Sequence, residues 1–440
     1  MAINQVTIQG NSVHKNCPPK ATGTGIVLKG KYNNADTYFS LNEDLLSKHT
    51  LLVGATGCGK TNVFNFFIKQ LKNSMSLEDV MIIFDTKGDY FSQFYREKDF
   101  VVANSKMYKS YTSNWNIYKE ILVDGFDDED IYANTYEITH SLFKDAIENS
   151  TQQFFPNAAR DLLYAILIAQ INLGKDDMDF RKKYFNNEAL KKFLDSISME
   201  KIENLLSPDV FPDLSSVLMY LGDGTSDQAL GVLAELQSVT REIFMGSFAK
   251  DGRFSIRNFV REKKGSTLFI EYDLSIGNTL APIYRLLFDL ALKEAMGRNK
   301  SSGNVYLVCD EFKLLPNLKH IEDGLNFGRS LGVKIFAGLQ SIEQLYQVYG
   351  ESKGKNIVAG FSNIFAFKSN DYVTRDFVSN LYGKNIVLEQ YKMSNNTMVE
   401  EKRQGKTVED WDLNDLKVGE AIVGLAYERP FKFYFDLFKG

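Results

Sequence analysis

HTLLVGATGCGKT, His49 to Thr61, decides the fold of this chain. An apolar run, His49 to Val53, leads into GATGCGKT (Gly54 to Thr61), a complete G-x-x-x-x-G-K-[ST] pattern. A helix-compatible stretch, Asn62 to Leu71, follows it. That order is strand, phosphate-binding loop, helix. The glycines let the backbone curl so that successive N–H groups face phosphate oxygens, and the new helix start adds positive dipole. Gly54, Ala55, Thr56, Gly57, Cys58, Gly59, Lys60, Thr61 and Asn62 are therefore the expected nucleotide-binding residues. Lys60 is expected to reach the β- and γ-phosphates of the nucleotide, and Thr61 to offer its hydroxyl to Mg²⁺.

Working outward, VMIIFDTKGDYF (Val80 to Phe91) reads as a buried strand ending in an Asp and a glycine turn, and DFVVAN (Asp99 to Asn104) as a shorter strand. From about Asp127 to Lys250 apolar residues recur at helical spacing and strand signals vanish. They return at STLFIEY (Ser266 to Tyr272), NVYLVCDEF (Asn304 to Phe312), VKIFAGLQ (Val333 to Gln340), NIFAFK (Asn363 to Lys368), AIVGLA (Ala421 to Ala426) and KFYFDLF (Lys432 to Phe438). Alternating strand and helix signals predict an α/β fold with a mainly parallel sheet. Residues 1–45 read as a β-rich lead-in, and the polar stretch Met393 to Trp411 as a mobile loop or hairpin. The expected organisation is a nucleotide-binding domain in two parts, 1–126 and 253–440, around a helical domain, 127–252.

Composition narrows the class. The chain of 440 residues is too long for one ordinary core, and its 44% hydrophobic and 24% charged residues are ordinary for a globular protein. A net charge of −5 requires any DNA contact to be local, such as the lining of a channel. Cys17, Cys58 and Cys309 have no C-x-x-C spacing and read as reduced thiols. The four histidines are scattered, so no metal beyond nucleotide-bound Mg²⁺ is expected. No signal peptide is visible, and the longest apolar stretch, Leu162 to Leu173, reads as a buried core helix.

Further chemistry sits at the strand ends. NVYLVCDE closes on Asp310 and Glu311. Downstream of a P-loop, such a pair offers one carboxylate to the Mg²⁺ shell and one to polarise the attacking water; otherwise it is a capped strand end. Gln340 ends VKIFAGLQ, where it can orient the lytic water or sense the γ-phosphate; otherwise it caps the helix SIEQLYQVYG. Arg329 carries a guanidinium suited to phosphoryl oxygens and is a candidate arginine finger for a neighbouring subunit, or a surface Arg in a helix-to-strand turn. Asp85, Lys87 and Gly88 form a strand tip. There Lys87 either touches nucleotide or a neighbour, or is a solvated Lys on a tight turn.

Together, HTLLVGATGCGKT, IIFDTKGDYF and YLVCDEFKLLPNLKHIEDGLNFGRSLGVKIFAGLQSIEQLYQVYG resemble the TraG/TraD-type coupling ATPases of conjugation and type IV secretion, within the FtsK/HerA superfamily. SNWNIYKEI (Ser113 to Ile121) is similar to that family's stretch after the third strand. The resemblance runs from about Tyr38 to the C-terminus. It implies a RecA-like motor with an inserted all-α domain that assembles as a ring, usually a hexamer, and hydrolyses ATP with Mg²⁺. The motor moves DNA, or recruits relaxase–DNA and effector proteins. Carried over, Lys60 and Thr61 bind phosphate and Mg²⁺, and Asp310 and Glu311 are the Walker B pair. Arg329 is the trans finger and Gln340 the sensor. Cys58 stands where the family commonly has Ser. Family members usually begin with membrane helices, and this chain shows none. Either a naturally soluble member or a cytosolic fragment is therefore expected, cytoplasmic or peripheral at the inner face of the membrane. The alternatives are a HerA/FtsK-like translocase of DNA processing or defence, and a scaffold that binds ATP and recruits proteins through its helical insertion.

Overall fold

In a computed structural model that describes residues 4–14, 18, 25–207, 209–222, 224–297, 303–393 and 397–440, the short apolar runs become strands. They are β1 (Asn4–Gly10), β2 (Gly25–Tyr32), β3 (Ala35–Asn42), β4 (Thr50–Val53), β5 (Val80–Asp85), β6 (Phe100–Val102) and β7 (Ser266–Glu271). After them come β8 (Val305–Cys309), β9 (Val333–Leu339), β10 (Asn363–Phe367), β11 (Lys384–Lys392), β12 (Met398–Lys406), β13 (Glu420–Gly424) and β14 (Phe431–Phe435). The chain divides into two compact units, Met1–Glu97 with Arg298–Gly440, and Lys98–Gly297.

In the first unit the strand order is β3-β2-β14-β13-β10-β4-β9-β8-β5. From β10 to β5 the neighbours are parallel, and from β13 to β3 they are antiparallel. Every residue of β4, β5, β8, β9 and β10 is buried. That is why these strands read as continuous apolar runs instead of alternating ones: both faces of a parallel sheet are covered. The helix Lys60–Ser74 lays Val63, Phe64, Phe67, Ile68 and Leu71 on the sheet, with Phe67 against Phe336 at 5.2 Å between ring centroids. In the antiparallel part Phe39 meets Phe431 and Phe433 edge-on at 5.2 and 4.9 Å. β1, β11 and β12 form a separate antiparallel sheet. The polar stretch after Met393 thus supplies one arm of a strand pair, with residues 394–396 outside the described set.

In the second unit β6 and β7 pair in parallel. Among the described residues, 127–252 contain helices and turns and no strand. The helices Asp128–Asn149 and Phe154–Leu173 pack together, and the latter is the buried apolar helix of the sequence. Among the described residues, no helix is long and apolar enough to cross a membrane. The SNWNIYKEI segment is a structural knot within this unit. Asn116 caps the helix Ile117–Ile121 and donates its amide to the carbonyls of Phe185 and Gly252.

Candidate nucleotide site

The register of the parallel strands brings the sequence motifs to one edge. Val53 lies beside Leu339, Cys309 beside Ala337, and Phe84 beside Cys309. Gly54, Gln340, Asp310 and Asp85, which fall at or just past these strand ends, therefore share the carboxyl edge of the sheet, where α/β folds place their ligands. The loop is pinned from both sides. Gly54 donates its N–H to the Leu339 carbonyl at 3.1 Å, and Ala55 donates to Lys368 at 2.8 Å. Gly57 and Gly59 have φ of +77° and +115°, which L side chains rarely adopt. No side chain caps the helix that starts at Lys60, and its first turn holds no acid, so the helix start is open to an anion.

Lys60 is buried and folded back on the loop, donating to the Gly54 carbonyl at 2.6 Å and to Ala55 at 3.2 Å. Thr61 donates its hydroxyl to Asp310 Oδ2 at 2.8 Å, across 249 residues of sequence. Hydroxyl and carboxylate are hard oxygen donors, and Mg²⁺ is held by one or two such groups together with substrate phosphates, so the pair fits that ion. Among the described residues there is no cluster of three or more His, Cys, Asp or Glu for another metal. Glu311 accepts from Gln340 Nε2 at 2.8 Å. Its other oxygen is buried without a hydrogen bond, with Lys313 at 3.8 Å. The helix after β9 is capped by Ser341, which leaves Gln340 to Glu311.

Asp85 is buried, and its carboxylate accepts four backbone N–H groups, from Lys87, Gly88, Tyr90 and Phe91, at 2.9–3.3 Å. Burial raises its pKa, and those N–H groups oppose the rise. Asp85 thus shapes the turn, while Lys87 projects from it exposed. Asn62 is engaged by the C-terminal segment: its amide donates to Asp436 and its carbonyl oxygen accepts from Phe438 N–H, both at 2.8 Å. Cys58 and Cys309 are free buried thiols whose pKa values burial pushes up; Cys17 lies outside the described residues. Arg329 stands apart. It is half exposed, in a turn before β9, and pairs with Asp44 at 3.0 Å. The seven residues of β9 separate it from Gln340, roughly 23 Å at strand rise.

Two features of this edge escape the motif reading. Tyr90 donates its hydroxyl to Asp310 Oδ2 at 2.7 Å. Burial first, and the Asp310 charge next, push its phenol pKa well up, so it remains a donor. Gly419 donates its N–H to the Cys58 carbonyl at 2.9 Å, and a Cβ built on Gly59 would come within 3.3 Å of the Gly419 backbone. Tyr90 stands within the quoted FDTKGDYF, but only the fold shows where its hydroxyl ends.

Known proteins resemble this chain in sequence and fold. The coupling protein TraD of Escherichia coli (strain K12) is 23% identical over 342 residues, which are 76% of this chain and 43% of TraD. The chain thus spans less than half the length of that relative. Among solved structures, the unbound monoclinic form of the bacterial conjugative coupling protein TrwBdeltaN70 superposes with a TM-score of 0.72 at 21% identity, covering 98% of this chain and 96% of that one. The plasmid coupling protein TrwB in complex with the ATP analogue ADPNP gives a TM-score of 0.71 at 20% identity, covering 100% and 95%. These likenesses show the fold, a RecA-like P-loop α/β architecture with an inserted helical part. Residues 36–414 match the family described as the type IV secretion-system coupling protein DNA-binding domain, and the chain belongs to that family.

Proposed function

We propose that this chain is an ATP-hydrolysing motor that couples substrate to conjugative transfer by moving DNA. The observation that carries the reading is the pairing of Thr61 with Asp310 and of Gln340 with Glu311 beside an uncapped P-loop helix. Membership in a coupling-protein family and the ADPNP complex of TrwB support it. Lys60 exchanges the Gly54 and Ala55 carbonyls for phosphate oxygens. Thr61 and Asp310 hold Mg²⁺, which supplies charge neutralisation at the phosphates. Glu311, fixed by Gln340, polarises the attacking water.

Arg329 lies at the other end of β9 from its own Gln340, which supports a role in the site of a second copy. The assembly is then a homo-oligomeric ring, a hexamer as the family resemblance implies. Lys87 faces outward at the same edge as Asp85 and meets nucleotide or the neighbouring copy. Residues 127–252 act as the all-α module between the two parts of the motor, 1–126 and 253–440. Relaxase and type IV secretion components are its partners, met in the cytoplasm or at the inner membrane face.

Steady-state ATP hydrolysis by the purified chain, titrated with single-stranded and duplex DNA, with mass measured in the same buffer, tests this. DNA-stimulated turnover with a ring-sized mass is the expected result. A monomer that ignores both forms of DNA would overturn the motor reading in favour of protein recruitment.

A further inference from the structure

We infer that Tyr90 is a positioning residue of the Mg²⁺-nucleotide site, holding the Asp310 carboxylate in register with Thr61. The inference rests on the nucleotide-site reading above. Tyr90 is only 2% exposed, and its hydroxyl meets Asp310 Oδ2 at 2.7 Å. Thr61 reaches the same oxygen at 2.8 Å. A carboxylate swings about its terminal torsion unless directional donors fix its plane. Here two hydroxyls, from the helices that follow β4 and β5, converge on one oxygen.

The placement of Tyr90 is itself over-determined. Gly88, with φ +73°, turns the chain out of β5. The Asp85 carboxylate then accepts the N–H groups of Tyr90 and Phe91 at 3.1 and 2.9 Å, so the Tyr90 backbone is tied to the end of the strand. The ring is enclosed, and its hydroxyl proton is donated to Asp310. The two donors differ in what else they are asked to do. Thr61 is shared between Asp310 and the cation, whereas Tyr90, which also neighbours the Thr61 hydroxyl, is given no place at the cation and keeps Asp310 oriented. Partners of this kind, one step removed from the ion, set metal affinity by orienting the ligand.

The test uses the full chain and Tyr90→Phe, which keeps the ring and removes the hydroxyl. Binding of a fluorescent ADP is titrated with Mg²⁺ and repeated without it, and thermal melting of the free protein is followed. We expect the Mg²⁺ concentration for half-maximal tightening to rise on the order of 10-fold. Mg²⁺-free nucleotide binding and the melting temperature stay at the wild-type values. An unchanged Mg²⁺ half-point overturns the inference. So does an equal loss of affinity with and without Mg²⁺, which marks a packing defect. Lys60→Ala separates the two levels. If the wild type binds no nucleotide, or Lys60→Ala binds as well as wild type, the nucleotide-site reading falls and this inference with it. If wild type depends on Lys60 and on Mg²⁺ while Tyr90→Phe titrates like wild type, this inference alone falls.

Discussion

Glu120 and Glu311 are both glutamates drawn away from solvent, and they are held in opposite ways. Glu120, in the second unit, is fully buried. One of its oxygens accepts from Trp115 Nε1 at 2.9 Å and Ile256 N–H at 2.6 Å. The other accepts from Ser255 Oγ at 2.9 Å and Arg257 N–H at 3.2 Å. Glu311, in the first unit, has a single hydrogen bond, from Gln340, and leaves its other oxygen without one. A saturated buried carboxylate has no capacity left for chemistry; it joins segments of chain. An unsaturated one is costly to the fold and is kept where a ligand or water completes it. The difference separates architecture from site without reference to any motif.

The largest effect expected is at Lys60. Lys60→Ala should lower ATP hydrolysis on the order of 10³-fold, since it removes the P-loop cation proposed to reach the β- and γ-phosphates, while circular dichroism and melting stay near wild type. Retained turnover in that variant would dissolve the site side of the comparison.

The two glutamates give the direct contrast. Glu311→Gln should cost about 10²- to 10³-fold in turnover and leave nucleotide binding and stability in place. Glu120→Gln should do the reverse. It points an amide N–H₂ at groups that are already donors, so urea unfolding should report a loss of about 2–4 kcal/mol. Turnover per folded molecule should be kept. If Glu120→Gln impaired hydrolysis in fully folded protein, saturation would not distinguish the two roles.

His49, at the start of the P-loop strand, sharpens the same contrast with pH. Its Nδ1 accepts from Ile335 N–H at 3.1 Å, and its Nε2 is buried without a hydrogen bond. Burial lowers its pKa from 6.5 to about 4. As pH falls, the unfolded chain takes up this proton first. The stability it supports is therefore complete above pH 6.5, declines between 6.5 and 4, and levels below, a total of about 3 kcal/mol. Urea unfolding of wild type and His49→Gln across this range should show the gap between them changing by that amount. A gap that does not move with pH would mean the ring is hydrated.

The smallest effect is a rescue. Mixing inactive Arg329→Ala with inactive Glu311→Gln should restore a fraction of turnover, because some interfaces then combine an intact finger with an intact site. No recovery at any ratio would return Arg329 to the surface pairing it makes with Asp44.

The P-loop, the Asp310–Glu311 pair and Gln340 were legible because each is a short motif at the end of an apolar run, where strand geometry and the local chain decide what a residue can reach. The buried helix Phe154–Leu173 and the stretch 127–252, strand-free among its described residues, were legible for the same kind of reason, period and composition. β11 was not. Its buried positions include Asn385 and Glu389 beside Val387, so the face turned inward is largely polar and the alternation of hydropathy is lost. Glu389 is accommodated there by Arg403, at 2.9 Å.

What remained was decided by tertiary structure alone. Tyr90 and Thr61 meet on Asp310 across 220 and 249 residues, and Glu120 takes donors 135–137 residues away. Gly419 lies against the P-loop, and the chain end holds Asn62. The sequence by itself determined the local geometry that makes a phosphate loop and the strands that carry it, because φ/ψ preference and burial periodicity act over a few residues. Which donor satisfies which buried acceptor depends on register and packing between distant segments, and only the folded chain brings those together.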